Sequence, residues 1–330
     1  MQVVIAAFGL APLTLILMGC GDSAPTPAPT PSPPANIPHR KLPGANGTVV
    51  SMPMLAFGTM TVSNPGCEVA DAVEQWLRLG GRHIDMSLVY GTLPDAGKGI
   101  EASGVPRHEM FLTTKVEGPI GMKQAIEQIN SDLQKVGVDY FDLVIIHWPC
   151  PGKDFKKYFP NKCGPIGKAE RLDTWHGLVE LQNQHKVRAI GVSNYLQEQV
   201  EELTQEGFQP AVNQVQWHLG YHNDTFLSEM EKLGVKVEAW ASLAGPTKSH
   251  SIPGVSLNDP RLQSVADRYN ASTAQIALQW SVLKGVTPVT ATCKKDHALG
   301  DLEAFKLNLS SKDMVFLDAL TENATLAIVV

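Results

Sequence analysis

Apolar residues recur along most of the chain at two alternating spacings, which predict strands followed by helices. Short apolar runs such as 111–116 and 141–148 have the length and content of buried strands. Segments such as 122–136 instead carry apolar residues at helical spacing and end at a glycine, here Gly137. Strands that alternate with helices over this length are typical of a parallel sheet.

The predicted elements form repeated strand–helix units over most of the chain. Strands are expected at 49–55, 56–59, the short run that ends at Asp85, 111–116, 141–148, 189–192, 211–215, 235–240 and 286–290. Helices are expected at 67–79, 95–103, 122–136, 173–185 with Asp173 as its cap, 196–206, 224–233, 259–269, 273–283, 296–304 and 312–320. Two long insertions, 149–172 and 244–258, are expected to form loops on the carboxyl face of the sheet.

Eight such units predict that the sheet closes into a (β/α)8 TIM barrel. The competing architecture is an open, doubly wound sheet, which usually has a glycine-rich fingerprint after its first strand. The sequence after the first predicted barrel strand, Phe57-Gly-Thr-Met, is not such a fingerprint. The barrel is therefore favoured.

The first 42 residues follow a different pattern. Residues 1–20 are nearly all apolar and resemble a signal or anchor segment, and residues 17–20 resemble a lipoprotein cleavage box with Cys20 as the lipid-bearing residue. Residues 21–42 are rich in proline and predict a disordered tether. The barrel domain is assigned to 43–325. No Lys or Arg precedes the apolar run, so an extension without a targeting role stays open.

Charge and cysteine content narrow the classes of function. The net charge of −6 does not suggest a nucleic-acid partner. The spacing of the five cysteines fits neither a disulfide framework nor a metal site, so free thiols and no metal are expected. Cys150 and Cys163 flank one loop, however, and could pair in an oxidising compartment.

Polar side chains stand at or just after the ends of three successive predicted strands. Asp85 ends one strand and Tyr90 follows it, Lys115 lies near the end of the next, and His147 lies near the end of the third. Strand ends of a (β/α)8 barrel converge on the face where active sites form. A phenol has a pKa of about 10, and a nearby ammonium is expected to lower it. Each residue alone has an ordinary structural explanation, but the ordered set favours catalysis.

The ordered motifs resemble the aldo-keto reductases over roughly residues 45–322. The resemblance rests on Gly58-Thr59, His83-Ile-Asp85 with Tyr90-Gly91, Thr113-Thr-Lys115, Ile146-His-Trp-Pro149, Gly191-Val-Ser-Asn194 and Asn213-Gln214. It implies a barrel whose floor is plugged by an N-terminal β-hairpin, and a reversible NAD(P)H-dependent reduction of aldehydes or ketones to alcohols. In that reaction Tyr90 would be the proton donor, Lys115 held by Asp85 would support it, and His147 would polarise the carbonyl.

The resemblance also implies which residues bind cofactor and substrate. The residues expected at the cofactor are Gly58, Thr59, Asp85, Ser193, Asn194, Gln214, Trp240, Ala241, Ser242, Leu243, Thr290, Thr292 and Lys294. The substrate is expected to contact Met60, Tyr90, His147 and Trp148. Trp240 stands where most relatives carry a tyrosine that stacks on the nicotinamide. The segment 288–297 departs from the usual phosphate-binding sequence, so NADPH is favoured and NADH is the alternative.

Two other functions stay open. A Schiff-base aldolase would use Lys115 but would leave Asp85, Tyr90 and His147 unexplained. A non-enzymatic cofactor-binding or channel-associated subunit would use the same barrel as a binding module. A monomer is expected. The barrel is expected in the cytoplasm, although residues 1–20 point to secretion, lipidation or a membrane tether.

Overall fold

The computed structural model describes residues 31–33, 35–60, 67–150, 167–243, 245–247, 250–252 and 255–320. The expected signal or anchor segment and half of the expected tether lie outside these residues. In the part of the chain that is described, no helix has the length and apolarity needed to cross a membrane.

Twelve strands are present among the described residues. They are β1 His39–Pro43, β2 Val49–Pro53, β3 Ala56–Gly58, β4 His83–Asp85, β5 Phe111–Val116, β6 Phe141–Ile146, β7 Val187–Ser193, β8 Val212–Gln216, β9 Lys236–Trp240, β10 Gly245–Thr247, β11 His250–Ile252 and β12 Thr287–Thr290. Eight of these, β3 to β9 and β12, pair in parallel and close into a barrel in which β12 lies between β9 and β3. The closed barrel confirms the predicted fold class and excludes the open sheet.

The helices follow the barrel strands along the chain. They are α1 Val69–Arg78, α2 Leu93–Ser103, α3 Met122–Val136, α4 Lys168–Asn183, α5 Gln197–Gln205, α6 Asp224–Lys232, α7 Pro260–Tyr269, α8 Thr273–Leu283, α9 Lys295–Glu303 and α10 Ser311–Asp318. Their apolar faces pack on the outside of the sheet and form the larger of two buried clusters. Burial of these faces is the main stabilising contribution of the helices.

The predicted hairpin plug is present and begins earlier in the chain than expected. Strands β1 and β2 pair in antiparallel register, from His39 opposite Pro53 to Pro43 opposite Val49. Leu42, Val50 and Met52 of the hairpin pack against Phe111 and other interior residues at the barrel floor. This apolar layer closes the end of the barrel opposite the strand termini that carry the polar residues.

Part of the segment assigned to a tether belongs to the compact unit, which begins at Pro31. The backbone N–H of Ser32 donates to the carbonyl of Arg78 at 2.9 Å, and that of Ala35 donates to Gly80 at 2.8 Å. Ile37 is buried in the main core. These contacts supply the backbone hydrogen bonds that proline-rich sequence cannot supply to itself.

The start of one helix differs from the prediction by five residues. Helix α4 begins at Lys168, so Asp173 lies inside the helix rather than at its cap. The Asp173 carboxylate instead accepts a hydrogen bond from the backbone N–H of Met122 at 2.9 Å, at the start of α3. It therefore caps a neighbouring helix, a role that depends on how the two helices pack.

The cysteines also differ from the prediction of free thiols. Cys67 and Cys293 form a disulfide with their Cα atoms 5.7 Å apart. Cys150 is disulfide-bonded as well. The two residues of the first bond are separated by 226 positions, so sequence spacing carried no signal for it. Cys20 and Cys163 lie outside the described residues.

Candidate active site

Local structure brings four polar side chains to the carboxyl ends of β4, β5 and β6. Asp85 is the last residue of β4, and a short turn of 3-10 helix, Leu88–Tyr90, follows it. Gly91 ends this turn in the left-handed region at φ +71°, where glycine is favoured because it has no Cβ. Lys115 shares the inward face of β5 with Phe111 and Thr113, since side chains alternate along a strand.

The structure brings the four predicted catalytic residues together. The Lys115 ammonium donates hydrogen bonds to the Asp85 carboxylate and to the carbonyl of Met86, the latter at 3.1 Å. The same nitrogen lies 5.1 Å from the centroid of the Tyr90 ring. The Tyr90 and His147 rings meet edge to face with their centroids 5.8 Å apart. A small molecule between the phenol and the imidazole would thus lie next to a buried ion pair.

The pKa of Tyr90 shifts in the opposite direction from the one that the sequence predicts. Burial raises the pKa of the phenol, and the nearby Lys115 charge lowers it by less, so the net direction is upward. The sequence predicted the contribution of Lys115 correctly but not the larger contribution of burial. Tyr90 is therefore protonated at neutral pH in this structure.

Lys115 is charged, whereas His147 is neutral. Burial disfavours the Lys115 ammonium, but Asp85, Tyr90 and Glu238 together outweigh burial and raise the pKa of the lysine. Burial, with a smaller contribution from Lys115, lowers the pKa of His147 well below its ordinary value. The buried Nδ1 of His147 has no hydrogen-bond partner among the described residues. The site thus holds a permanent cation and a neutral imidazole.

The raised pKa of Lys115 also argues against the aldolase alternative. A Schiff base forms through the neutral amine, which attacks a carbonyl carbon. Lys115 is instead fully buried and held as an ammonium by Asp85. Lys115 is thus placed to supply positive charge rather than a nucleophile.

A network of amides extends from the ion pair toward the rim of the barrel. The Gln214 side-chain nitrogen donates to the Asp85 carboxylate. Ser193 donates to the backbone carbonyl of Gln214 at 2.7 Å, and Asn194 donates to Ser193 at 3.0 Å. The indole N–H of Trp240 donates to the Asn194 carbonyl oxygen at 2.9 Å. The structure therefore joins four residues that the sequence assigned to the cofactor: the last residue of β7, the residue after it, the central residue of β8 and the last residue of β9.

Two residues at this part of the rim adopt the left-handed region of φ without being glycine. Asn194 has φ +60° and Ala241 has φ +56°. Asn194 follows β7 directly, and Ala241 follows Trp240 at the end of β9. Conformations of this kind cost about 1–3 kcal/mol and concentrate at ligand sites.

The other predicted cofactor residues lie along β3 and at the ends of β9 and β12. Three of their hydroxyls are used inside the fold. Thr59 pairs with Thr92 at 2.9 Å, Ser242 donates to the carbonyl of Ala239 at 2.9 Å, and Thr290 donates to Asp301 at 2.8 Å. Their hydroxyls therefore organise the rim from inside the fold.

The remaining predicted residues of this group differ in their exposure. Lys294 is exposed and Thr292 is half-buried, and the hydroxyl of Thr292 accepts from the Lys294 backbone N–H at 3.1 Å. Gly58 has no room for a side chain, because a Cβ there would lie 2.9 Å from a methyl carbon of Val289. Leu243 is half-buried in the same rim.

Of the two expected substrate residues outside the catalytic group, Trp148 contacts that group directly. Trp148 is half-buried and stacks on the imidazole of His147, with centroids 5.7 Å apart and planes at 23°. Met60 is 57% exposed at the end of β3. The first long insertion lies largely in 151–166, outside the described residues. Trp148 therefore supplies apolar surface beside the catalytic group, and Met60 exposes a second apolar side chain just after β3.

Sequence reasoning missed one residue at the site, Glu238 of β9. Its carboxyl group is fully buried and accepts a hydrogen bond from Gln214 at 2.8 Å. The available signal was its position two residues before Trp240, on the same face of the strand. No cluster of side chains suited to a metal occurs in the described part of the chain.

The rim fits a nicotinamide dinucleotide. Trp240 is half-buried and presents an aromatic ring beside the buried amides of Asn194 and Gln214, and such a surface suits a flat ring that bears a carboxamide. Lys294 and Lys295 are exposed at the start of α9, next to the end of β12. Positive charge at a helix start suits phosphate.

Comparison with known proteins agrees with this geometry. Residues 54–322 match the aldo/keto reductase family. Glyoxal reductase of Bacillus subtilis is 32% identical over 276 residues, which cover 83% of this chain and 91% of that protein.

Solved structures have the same fold. An aldo/keto reductase from Brucella melitensis is 30% identical with a TM-score of 0.73, and the match covers 86% of this chain and 99% of that one. An aldo-keto reductase of Bombyx mori in complex with NADP is 26% identical with a TM-score of 0.76, covering 86% and 92% of the two chains. With the family match extending over most of its length, this chain belongs to the aldo/keto reductase family.

Proposed function

We propose that this protein reduces aldehydes or ketones to alcohols, reversibly, with NADPH as the hydride donor. The observation that carries the proposal is the buried Asp85–Lys115 ion pair beside the Tyr90 phenol, opposite the His147 imidazole, whose buried Nδ1 has no hydrogen-bond partner in the described part of the chain. A carbonyl that accepts a hydride gains negative charge on oxygen, and this site offers both a proton and positive charge at that point.

Tyr90 is the proton donor in this proposal. Its raised pKa keeps the phenol protonated at neutral pH, so the acid form is always available. When the proton moves to the substrate oxygen, the phenolate left behind is stabilised by the adjacent Lys115 ammonium. Asp85 holds that ammonium in place and balances its charge inside the barrel.

His147 is the residue that orients the carbonyl. Its lowered pKa keeps the imidazole neutral, so one ring nitrogen carries a hydrogen to donate and the other does not. A neutral donor polarises the carbonyl without competing with Tyr90 for the role of acid. Trp148, stacked on the imidazole, restricts its rotation.

The cofactor residues follow from the rim. Ser193, Asn194 and Gln214 would hold the carboxamide, Trp240 would stack on the ring, and Lys294 would approach the phosphates. When bound, the reduced nicotinamide supplies the hydride. The NADP in the silkworm relative's structure supports NADPH over NADH. The two exposed lysines at the start of α9 are consistent with the additional phosphate.

The test of the proposed function is Tyr90→Phe, assayed with NADPH and a panel of aldehydes and ketones. We expect kcat to fall by about 10²–10⁴-fold because the proton donor is lost, with the Kd for NADPH little changed. Tyr140→Phe is the matched control, since the Tyr140 ring packs on Arg107 outside the site. Carbonyl reduction at the unaltered rate by the Tyr90→Phe protein would contradict the assignment. Tight NADPH binding without turnover by the unaltered protein would favour a non-enzymatic subunit instead.

We propose further that the barrel works as a monomer in an oxidising compartment. The Cys67–Cys293 disulfide and the bonded Cys150 support the oxidising compartment, because such bonds are rare where thiols are kept reduced. The apolar run at 1–20 and the proline-rich residues after it agree with export on a tether. In this proposal the barrel domain extends from the hairpin to about residue 325. Mass spectrometry of the protein from its native compartment tests this assignment: intact leader peptides and free thiols would contradict it.

A further inference from the structure

Glu238 is a buried carboxyl group that none of the roles above uses. It lies in the middle of β9 and is fully buried inside the barrel. One of its oxygens accepts a hydrogen bond from the Gln214 side-chain nitrogen at 2.8 Å. The other oxygen has no hydrogen-bond partner among the described residues and lies 3.8 Å from Nε2 of His83.

Such a group is costly to bury, so a fold that needed only packing would place an apolar residue there. Four polar groups face Glu238: Asp85 and His83 from β4, Lys115 from β5 and Gln214 from β8. Burial and the nearby Asp85 carboxylate raise the pKa of Glu238 to about 8. At neutral pH the glutamate therefore carries a proton beside the ion pair.

Gln214 connects Glu238 to the cofactor rim. Its amide nitrogen donates to both Asp85 and Glu238. The reverse orientation of the amide is disfavoured, because it would turn the carbonyl oxygen toward the Asp85 carboxylate, which is paired with Lys115 and can only accept hydrogen bonds. The two acids together therefore hold the amide so that its nitrogen faces them and its oxygen faces away.

We propose that Glu238 is a positioning residue for the reaction. It fixes the Gln214 amide so that the amide oxygen can accept a hydrogen bond from the nicotinamide carboxamide. As a second carboxyl group beside the Asp85–Lys115 pair, it also controls the charge near Tyr90. The proposal rests on the proposed function, since it names a residue that supports the same site. It assigns Glu238 no contact with the substrate.

The second part of the proposal, the effect of the Glu238 charge on Tyr90, predicts how the rate of alcohol oxidation depends on pH. When Glu238 loses its proton as the pH rises through about 8, a second negative charge appears near Lys115. That charge raises the pKa of Tyr90 and so opposes formation of the phenolate. Alcohol oxidation uses the phenolate as its base, whereas carbonyl reduction uses the phenol. Removing the charge at position 238 should therefore move the rise of alcohol oxidation with pH to lower pH.

Two variants of the full-length protein separate the two parts of the proposal. In Glu238→Gln the introduced amide oxygen can still accept from Gln214, so the KM for NADPH should stay within about twofold. The rising limb of the pH profile of kcat for alcohol oxidation should nonetheless shift to lower pH. In Glu238→Leu the acceptor is lost, and we expect the KM and Kd for NADPH to rise about tenfold.

The control is Asp132→Asn, which neutralises another buried carboxyl group that accepts from a glutamine, in α3 outside the barrel. It should change neither the pH profile nor the KM for NADPH. A pH profile of Glu238→Gln that superimposes on that of the unaltered protein would overturn the electrostatic part. An unchanged Kd for NADPH in Glu238→Leu would overturn the positioning part.

Two further measurements keep the outcomes distinct. If Glu238→Leu does not fold, Glu238→Met measures the same loss of the acceptor with a more flexible side chain. If the unaltered protein binds NADPH but reduces no carbonyl, the proposed function fails, while the NADPH affinities of the Glu238 variants still decide the positioning part.

Discussion

At the scale of single residues, the site depends on which hydrogen bond each polar group makes. Trp240 is the clearest case, because its ring and its N–H have separate tasks. The N–H donates to Asn194 at 2.9 Å, and Asn194 is itself in a left-handed conformation at φ +60°. The indole therefore joins the ends of β9 and β7 at the proposed nicotinamide site. Phenylalanine could keep the aromatic face but not this bond.

We predict that Trp240→Phe raises the KM for NADPH severalfold and leaves kcat for a small aldehyde within about threefold, because only the bond to Asn194 is lost. A double-mutant cycle with Asn194→Ala checks the reason. The two changes should be coupled by about 0.5–3 kcal/mol, as expected for residues in contact. Strictly additive effects on the Kd for NADPH would argue against a shared role.

At the scale of elements, the second helix shows how packing overrides intrinsic preference. Gly97 and Gly99 each disfavour a helix by about 1 kcal/mol relative to alanine. In the structure they allow close packing of α2 against its neighbours. A Cβ on Gly99 would lie 2.4 Å from the carbonyl oxygen of Ala70 in α1, and one on Gly97 would lie 2.5 Å from that of Val136 in α3. The helix that carries these glycines directly follows the turn that positions Tyr90.

We predict that Gly99→Ala lowers the free energy of unfolding by about 1–3 kcal/mol, because the new methyl group forces α1 and α2 apart. Gly300→Ala is the matched control. Gly300 also lies inside a helix, α9, but its nearest side-chain atom would be 3.9 Å from the added Cβ. That change should stabilise the protein by up to about 1 kcal/mol. Urea denaturation measures both, and equal signs for the two variants would contradict this account.

At the scale of the whole molecule, the Cys67–Cys293 disulfide links the beginning of the barrel sequence to its last part. Cys67 lies just before α1, and Cys293 follows β12, the strand that pairs with β3 to close the barrel. The bond thus joins segments from the first and last strand–helix units. The bond also fixes Cys293, the residue directly before Lys294, which we propose for phosphate binding.

We predict that breaking this bond lowers the free energy of unfolding by about 2–5 kcal/mol, because the unfolded chain regains freedom over a long loop. The measurement is urea denaturation of the Cys67→Ser/Cys293→Ser double variant beside the unaltered protein, both without reductant. Cys150→Ser is measured separately, so that the stability contributed by the disulfide of Cys150 is kept apart from that of the Cys67–Cys293 bond. A double variant as stable as the unaltered protein would contradict the prediction.

Much of the fold could be predicted from sequence because its signals are local. Helix α3, Met122–Val136, and helix α8, Thr273–Leu283, begin and end at the predicted residues, since apolar spacing and caps act within a few positions. The ordered polar residues at the strand ends likewise predicted which side chains would meet, because a parallel barrel gathers those ends on one face. Asp85, Tyr90, Lys115 and His147 could be named for that reason.

The tertiary structure alone decided what those residues experience. The upward pKa of Tyr90, the cap that Asp173 provides to α3, the Cys67–Cys293 pairing and the buried Glu238 each depend on residues distant in sequence. Burial, charge–charge distance and helix contact arise only when the strands close into a barrel, and no pattern along the chain encodes their magnitudes. Sequence therefore determined the elements and the candidate chemistry, while packing determined the charge state and orientation of each group.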